Sequence, residues 1–394
     1  MRILIGPLNK KEHDHILSSF GGHEVISFGD HDADIVYSFA GNNWGDIIAG
    51  LPVGWSPDFV VFWCHEYFAI PIGLEDSPWP VVGLIGDWNL GFEAVKQTAF
   101  IFDYLFTDRQ GVEVLKRHGI KNADYLPLFS YIPYYHKVIP DVEKIYDIVF
   151  AGNLNHSVQR ERSHWLNRLS MLSDRYKVRI FTGIYGDDYT KALNQAKIVF
   201  NRSIRGEMNA RAYEAPACGS LLFMEESNIE IRDYLTDRVE CVLYNEENLE
   251  ELIEYYITHD EERERIARNG YNKIQKYQHS HHMRLLVEKV KALGICGRRH
   301  ENHPSPHPCA RASQIYLSIT DGKFEVAERE LEGAEKIDPL NPEVLNNRGV
   351  IYAGYAGSLQ DPKMKIEFYS YAEEYFRKAI SVNPYYAVAI FNLA

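Results

Sequence analysis

The 394 residues carry a formal net charge of −13, with 45% hydrophobic and 25% charged residues. That composition fits a globular protein, and the length exceeds one ordinary core, so two or three domains are expected. The acidic balance argues against non-specific binding to nucleic acid or to an anionic membrane, both of which need basic surfaces, but it leaves room for a small basic pocket.

Residues 2–8 read as an apolar strand rather than a signal peptide, and no stretch of about 18 apolar residues could cross a membrane. Cys64, Cys218, Cys241, Cys296 and Cys309 are odd in number and scattered, as reduced thiols of a cytoplasmic protein would be. A polar helix is expected at 10–20, strands at 24–28, 35–39, 59–63, 81–85, 102–107 and 125–128, and an amphipathic helix at 109–118. Short apolar strands alternating with helices specify a parallel sheet covered on both faces. Ligands of such sheets sit beyond the carboxyl ends of the strands. That rule singles out Gly6, the run Cys64-His65-Glu66 and the run Gly86-Asp87-Trp88-Asn89.

A connector at 133–144 leads to a second alternating series. Its first strand opens at Asp147 and ends in Gly152-Asn153; a basic helix at 160–172, a strand at 178–182 and a helix at 189–196 follow. Residues 196–224 then read as strand (197–200), polar loop (203–208), short helix (209–218) stopped by Gly219, and strand (221–224). Helices at 229–235, 246–258 and 260–277 and a strand at 241–244 complete the series. The loop and short helix hold Arg202, Arg205, Glu207, Asn209, Arg211 and Glu214. A helix start offers unpaired N–H groups and a positive dipole end, which favour an anion. Arginines beside it suit phosphate, and carboxylates, which would repel phosphate, suit sugar hydroxyls. A nucleotide sugar combines both.

The run Gly206-Glu207-Met208-Asn209-Ala210-Arg211-Ala212-Tyr213-Glu214-Ala215-Pro216-Ala217-Cys218-Gly219 resembles the donor-binding segment of group-1 glycosyltransferases of the GT-B fold, closest to the spore-maturation-protein-like branch. The resemblance covers roughly residues 1–293. It implies an α/β architecture of two Rossmann-like domains facing a cleft, with 1–140 on the acceptor side and 145–293 binding the nucleotide sugar. It further implies that Glu214 holds the ribose. In the family an earlier Glu, typically with seven residues between, contacts the donor sugar; here Glu207 has six between and Gly206 occupies the usual place. The diphosphate is expected near Gly152-Asn153 and Asn209, and among Arg202, Arg205 and Arg211, with Arg160 or Arg162 in reach. The family relation implies retention of anomeric configuration, the donor phosphate helping to deprotonate the acceptor. Asp87 and His65, at strand ends of the first domain, are the candidates for a separate base. The donor, a UDP- or GDP-linked sugar, is a substrate, and no cofactor is expected. No metal is expected either: Asp187-Asp188 and the Asp32/Asp34 pair resemble metal-binding acids of the other major glycosyltransferase fold, which the strand–helix pattern does not suit.

Residues 294–310 are rich in Pro, His and Arg and read as a linker. Cys296, His300, His303, His307 and Cys309 could ligate zinc but lack the tight cysteine spacing of such sites, so a plain linker is preferred. Residues 311–394 read as all-α helix pairs: Ala327, Ala334 and Pro339 have the spacing of Ala372, Ala379 and Pro384. This resembles tetratricopeptide repeats with an insertion near 354–365, and the final residues read as part of a further repeat in a longer array. The expectation is a transferase whose acceptor is a polypeptide recruited by the repeats. A glycan or lipid-linked acceptor, or a repeat scaffold with a decayed transferase half, is the alternative.

Overall fold

The computed structural model describes residues 1–37, 43–64, 66–68, 70–71, 73–156, 160–297, 299 and 324–394. Seven strands form the first sheet: β1 (Arg2–Gly6), β2 (Glu24–Gly29), β3 (Ile35–Val36), β4 (Phe59–Phe62), β5 (Val81–Leu84), β6 (Tyr104–Thr107) and β7 (Ala123–Tyr125). They run parallel in the order β3-β2-β1-β4-β5-β6-β7, with Ile3 level with Val25 on one side and Phe59 on the other. The second sheet orders β8 (Tyr146–Ala151), β9 (Val178–Phe181), β10 (Ala196–Phe200), β11 (Leu221–Glu225) and β12 (Val242–Tyr244) as β12-β11-β10-β8-β9, again parallel.

Continuous apolar runs such as β4, β5 and β10 make the central strands because both faces are buried. Successive side chains point to opposite faces, so Leu4, Val60 and Phe62 join one core layer with Trp44, while Ile3, Ile5 and Val61 join the other. In the second sheet Val149, Ala151 and Val199 pack under the helix Ala210–Ala217, and Ile148, Phe150 and Phe200 fill the opposite layer.

Some expected bounds shift for local reasons. The last strand of the first sheet lies at Ala123–Tyr125, not 125–128. The helix expected at 229–235 is a single tight turn, Ile231–Asp233, because the Asn228 side chain accepts from the amides of Glu230 (3.0 Å) and Ile231 (2.8 Å). The final helix of the α/β region, His279–Ala292, crosses back: Met283, Leu286, Val287 and Val290 pack against Ile3, Ile5 and Phe59 of the first domain. The expected linker also begins docked. The amide of Gly297 donates to Asp58 O (2.6 Å), and Arg299 binds Asp103 (2.7 Å) and the carbonyls of Glu75 and Ile101. His300, His303, His307 and Cys309 lie outside the described residues.

The helices Phe324–Ile337, Pro342–Ser358, Pro362–Val382 and Ala387–Leu393 make the all-α tail. Ala327, Ala334, Ala372 and Ala379 are all buried, and residues this small let the helices pack closely. The two middle helices have 17 and 21 residues, each started by proline after an Asn341 or Asp361 cap. Among the described residues no helix is long and apolar enough to cross a membrane.

Candidate active site

A cavity of about 660 Å³ opens at the carboxyl ends of β8, β9 and β10, between the two domains. The second domain supplies Ala151, Gly152 and Asn153 after β8, the loop Thr182–Gly186 after β9, Ile204, Glu207 and the start of the helix Ala210–Ala217. Asp87, beyond β5, lines the facing side, and Phe129 and the connector residue His136 complete the lining. Of the residues singled out from sequence, Gly152, Asn153, Glu207, Asn209, Arg211, Glu214 and Asp87 meet here. His65 falls outside the described residues.

The loop before the helix is held by its own polar groups. Asn209 caps the helix, its Oδ1 accepting from Ala212 N (3.3 Å) and from Asn201 Nδ2 (2.9 Å). Gly206 has φ +78°, a left-handed conformation that disfavours any side chain, which accounts for glycine where the family places its Glu. Glu207 is buried and turns one oxygen to Arg205 N (2.7 Å) and the other to Ile204 N (3.3 Å). Burial raises its pKa. It lines the cavity, but its carboxylate already closes the loop.

Arg205 corrects an expectation. Its guanidinium leaves the cavity and enters the first domain, donating from Nε to Asp108 (3.0 Å), from Nη1 to Asp87 (3.1 Å) and Asn89 (2.6 Å), and from Nη2 to Gly86 O (2.8 Å). With its donors spent on carboxylates and a carbonyl, it is an interdomain clasp rather than a phosphate ligand. Arg202 is also diverted, pairing with Glu161 and lying 5.4 Å over the Trp165 ring.

Arg211 and Arg162 do face the cavity. Arg211 donates from Nε to Ala151 O (2.7 Å) and from Nη1 to Asn201 Oδ1 (2.7 Å). Its Nη2 lies over Gly152, 2.1 Å from where a Cβ would stand, so a side chain there would displace the guanidinium. Arg162 donates to the carbonyls of Asn153 (2.9 Å) and Arg202 (3.0 Å), and its buried Nε finds no partner among the described residues. Both guanidiniums stack near Phe150, at 4.4 Å and 5.3 Å. Burial, then the neighbouring Arg211 charge, pushes Arg162 down to about 10. All four acceptors are neutral, so both positive charges remain available to an anion.

Glu214 sits on the same helix and lines the same cavity, its side chain 13% exposed. Tyr189 donates its hydroxyl to Oε2 (2.5 Å), and His136 Nε2 faces Oε1 at 3.5 Å. On the facing wall Asp87 accepts from the Tyr67 hydroxyl (2.5 Å) as well as from Arg205. Behind it, Glu66 Oε1 accepts from the amides of Gly86 (2.7 Å) and Asp87 (2.6 Å), while Oε2 is buried without a partner among the described residues. Burial raises Glu66 to about 7.

Sequence reasoning missed Asp108, Glu230, Tyr189 and His136. Asp108 carries the usual N-cap signal before the helix Arg109–Arg117, which says nothing of its second role with Arg205. Glu230 accepts from Arg109 N (2.9 Å) and Met208 N (2.8 Å), tying the domains together. Tyr189 and His136 carried no signal. Among the described residues no His, Cys, Asp and Glu group could hold a metal ion.

Residues 138–288 match the family model described as glycosyl transferase-like. No curated protein matches. Among solved structures, HepE of Anabaena in complex with UDP is similar at 12% identity over 74% of this chain and 100% of that chain, with a TM-score of 0.50. The N-terminal domain of Candida albicans trehalose-6-phosphate phosphatase is similar at 10% identity over 75% of this chain and 97% of that chain, also with a TM-score of 0.50. These likenesses, with the two parallel sheets, show the GT-B fold.

Proposed function

We propose that this chain is a glycosyltransferase that takes its sugar from a nucleotide-sugar donor bound on the second-domain wall of the cleft. One observation carries the reading: two buried guanidiniums held by neutral acceptors share a cavity with a carboxylate that accepts from the neutral Tyr189 hydroxyl. A diphosphate beside Arg162 and Arg211 would relieve their mutual repulsion and give the unpartnered Nε an acceptor. The helix start at Asn209 adds a positive dipole end. Glu214 then takes the ribose, and a volume of about 660 Å³ is ample for a ligand of this size.

Transfer is read as retaining. The bond from the anomeric carbon to the diphosphate breaks, a bond to the acceptor oxygen forms, and the acceptor proton passes to the departing phosphate. Asp87 stands on the acceptor side of the cavity, already accepting from Tyr67 and Arg205, and so acts by orientation more than as a base. UDP and GDP are the nucleotides to test, UDP first because it occupies HepE. The tail, read as tetratricopeptide repeats, would bring a polypeptide acceptor; a glycan or lipid-linked acceptor is the alternative. Glu207, committed to its own loop, favours a second reading, a nucleotide-binding scaffold without turnover.

The test is release of nucleoside diphosphate from UDP- and GDP-linked sugars. Slow release from one donor, strongly reduced in Glu214→Ala, is expected. Binding without release supports the scaffold, and equal release by the variant removes the ribose role.

A further inference from the structure

The crossing helix His279–Ala292 starts where the two passes between the domains run side by side. The backbone of Gln278 pairs with that of Tyr131, Ser130 donates its hydroxyl to Tyr277 O (2.6 Å), and the Tyr131 hydroxyl donates to Gln275 Oε1 (3.1 Å). A first helical turn favours acidic residues, because the dipole is positive there. This one holds no acid and three histidines, His279, His281 and His282. His279 reaches the first domain: its ring lies 5.1 Å from that of His15 on the helix Lys10–Leu17. His282 is fully buried, its ring 5.7 Å from that of Tyr213 on the helix Ala210–Ala217. His279 Nδ1 and both ring nitrogens of His282 are buried without a hydrogen-bond partner among the described residues.

The groups around these two rings do little to welcome a positive charge. His15 and His136 act on His279; His279 and His281 act on His282, which also has the Phe129 backbone beside it. Asp14 and Tyr134 line the same small cavity as His279, and Asp14 acts on His15 together with His13. His281 meets Arg284 and Lys276 as well as Glu288, and the carboxylate facing His136 is Glu214. So Asp14 is the one acid near His279, and none of these acids acts on His282. Burial, then the neighbouring histidines, holds both rings down to about 3. A histidine released from the fold titrates near about 6.5. A ring whose pKa is depressed in the fold stabilises it fully above that released value, and the contribution is lost as pH falls below it.

We infer that this first turn is an acid-released latch: with His279 and His282 neutral it stays wedged between the two domains, and protonation of both frees it and opens the cleft. Charging either ring places a cation in a buried setting, against the helix dipole and beside other histidines, and leaving the wedge relieves all three. What leaves with the turn is the docking of Met283, Leu286, Val287 and Val290 on the first domain. The latch does not depend on what the cavity binds.

The experiment is amide hydrogen exchange on the full chain at about pH 7.5 and about pH 5, corrected for the intrinsic rate, with small-angle X-ray scattering under the same conditions. In wild type the protection of residues 279–292 should fall by about 30-fold for each of the two histidines and return on neutralisation, while β8 and β10 stay protected. The radius of gyration should rise over the same interval. His279→Leu combined with His282→Leu should abolish both changes. Should that pair fail to melt cooperatively near neutral pH, His279→Gln combined with His282→Gln serves instead. His281→Gln, beside Glu288, should keep the response. Loss of protection spread evenly over the whole chain would be global acid unfolding and overturns the latch. So would an acid response that survives in the double variant, or protection of residues 279–292 that does not move with pH. Release of the helix with an unchanged radius of gyration overturns the opening of the cleft.

Discussion

The arginines of the second domain meet two different kinds of acceptor across the cleft. On the first-domain wall Asp87 and Asp108 are met by Arg205, which crosses from the second domain to reach them. On the second-domain wall Arg162 and Arg211 hydrogen-bond carbonyl and amide oxygens, which fix the guanidiniums without cancelling them. Arg205 and Arg211 leave the same short stretch of chain, so residue type and position in sequence do not separate their roles. What separates them is the acceptor each guanidinium is bonded to: Arg205 is clasped by carboxylates, while Arg211 is held by neutral oxygens and keeps its charge available.

The sharpest way to break this contrast is Arg205→Ala. It strands buried Asp108 as well as half-buried Asp87, and loss of one partner of a buried pair such as Arg205–Asp108 costs about 3–5 kcal/mol. Denaturation should show that loss, together with separate unfolding of the two domains. Arg211→Ala should do the reverse, weakening nucleoside diphosphate binding about 10- to 100-fold by calorimetry while leaving the interdomain clasp intact.

Glu66→Gln tests the first-domain wall through pH. Burial raises the folded-state pKa of Glu66 to about 7 from 4.5, so the folded protein holds this proton more tightly than the unfolded chain. The resulting stability is full below the unfolded value and is lost as pH rises through about 7. Between about pH 5.5 and about pH 8.5 wild type should therefore lose about 2 kcal/mol relative to the variant, whose amide has no proton to release. A gap that does not change with pH would contradict a buried, proton-holding Glu66.

Gly152→Ala is a smaller change to the basic wall. A Cβ placed 2.1 Å from Arg211 Nη2 must displace the guanidinium, and overpacking of this kind costs about 1–3 kcal/mol. Nucleotide affinity should fall about tenfold, less than for Arg211→Ala, with the melting temperature lowered by several degrees. Least of all is expected from Arg348→Ala in the tail. It breaks the pair with Glu335 (2.6 Å) and Glu328 (3.1 Å) and should loosen those helices without moving nucleotide affinity by more than about twofold.

Much of this was legible from sequence because it is local. Runs such as Phe59–Phe62 and residues 221–224 are apolar throughout and became parallel strands buried on both faces. The loop and helix around Asn209 and Glu214 announced an anion beside hydroxyls, and both residues line the cavity. Arg205 misled because its partner Asp108 lies 97 positions away, a separation that no periodicity encodes. His136 was hidden for a similar reason: it sits in a connector read only as a spacer, and its tautomer is set by a backbone amide. The crossing helix His279–Ala292 has an ordinary amphipathic pattern, which fixes a buried face but not which domain will cover it.

The most direct test is a structure with bound UDP or GDP, whichever binds tighter in solution. The expected result places the diphosphate within hydrogen-bond distance of Arg162 and Arg211 and the ribose hydroxyls on Glu214, with Arg205 still holding Asp87 and Asp108. A nucleotide seated on Arg205 instead, or one bound with Glu214 facing away from the ribose, would contradict the division of the two walls.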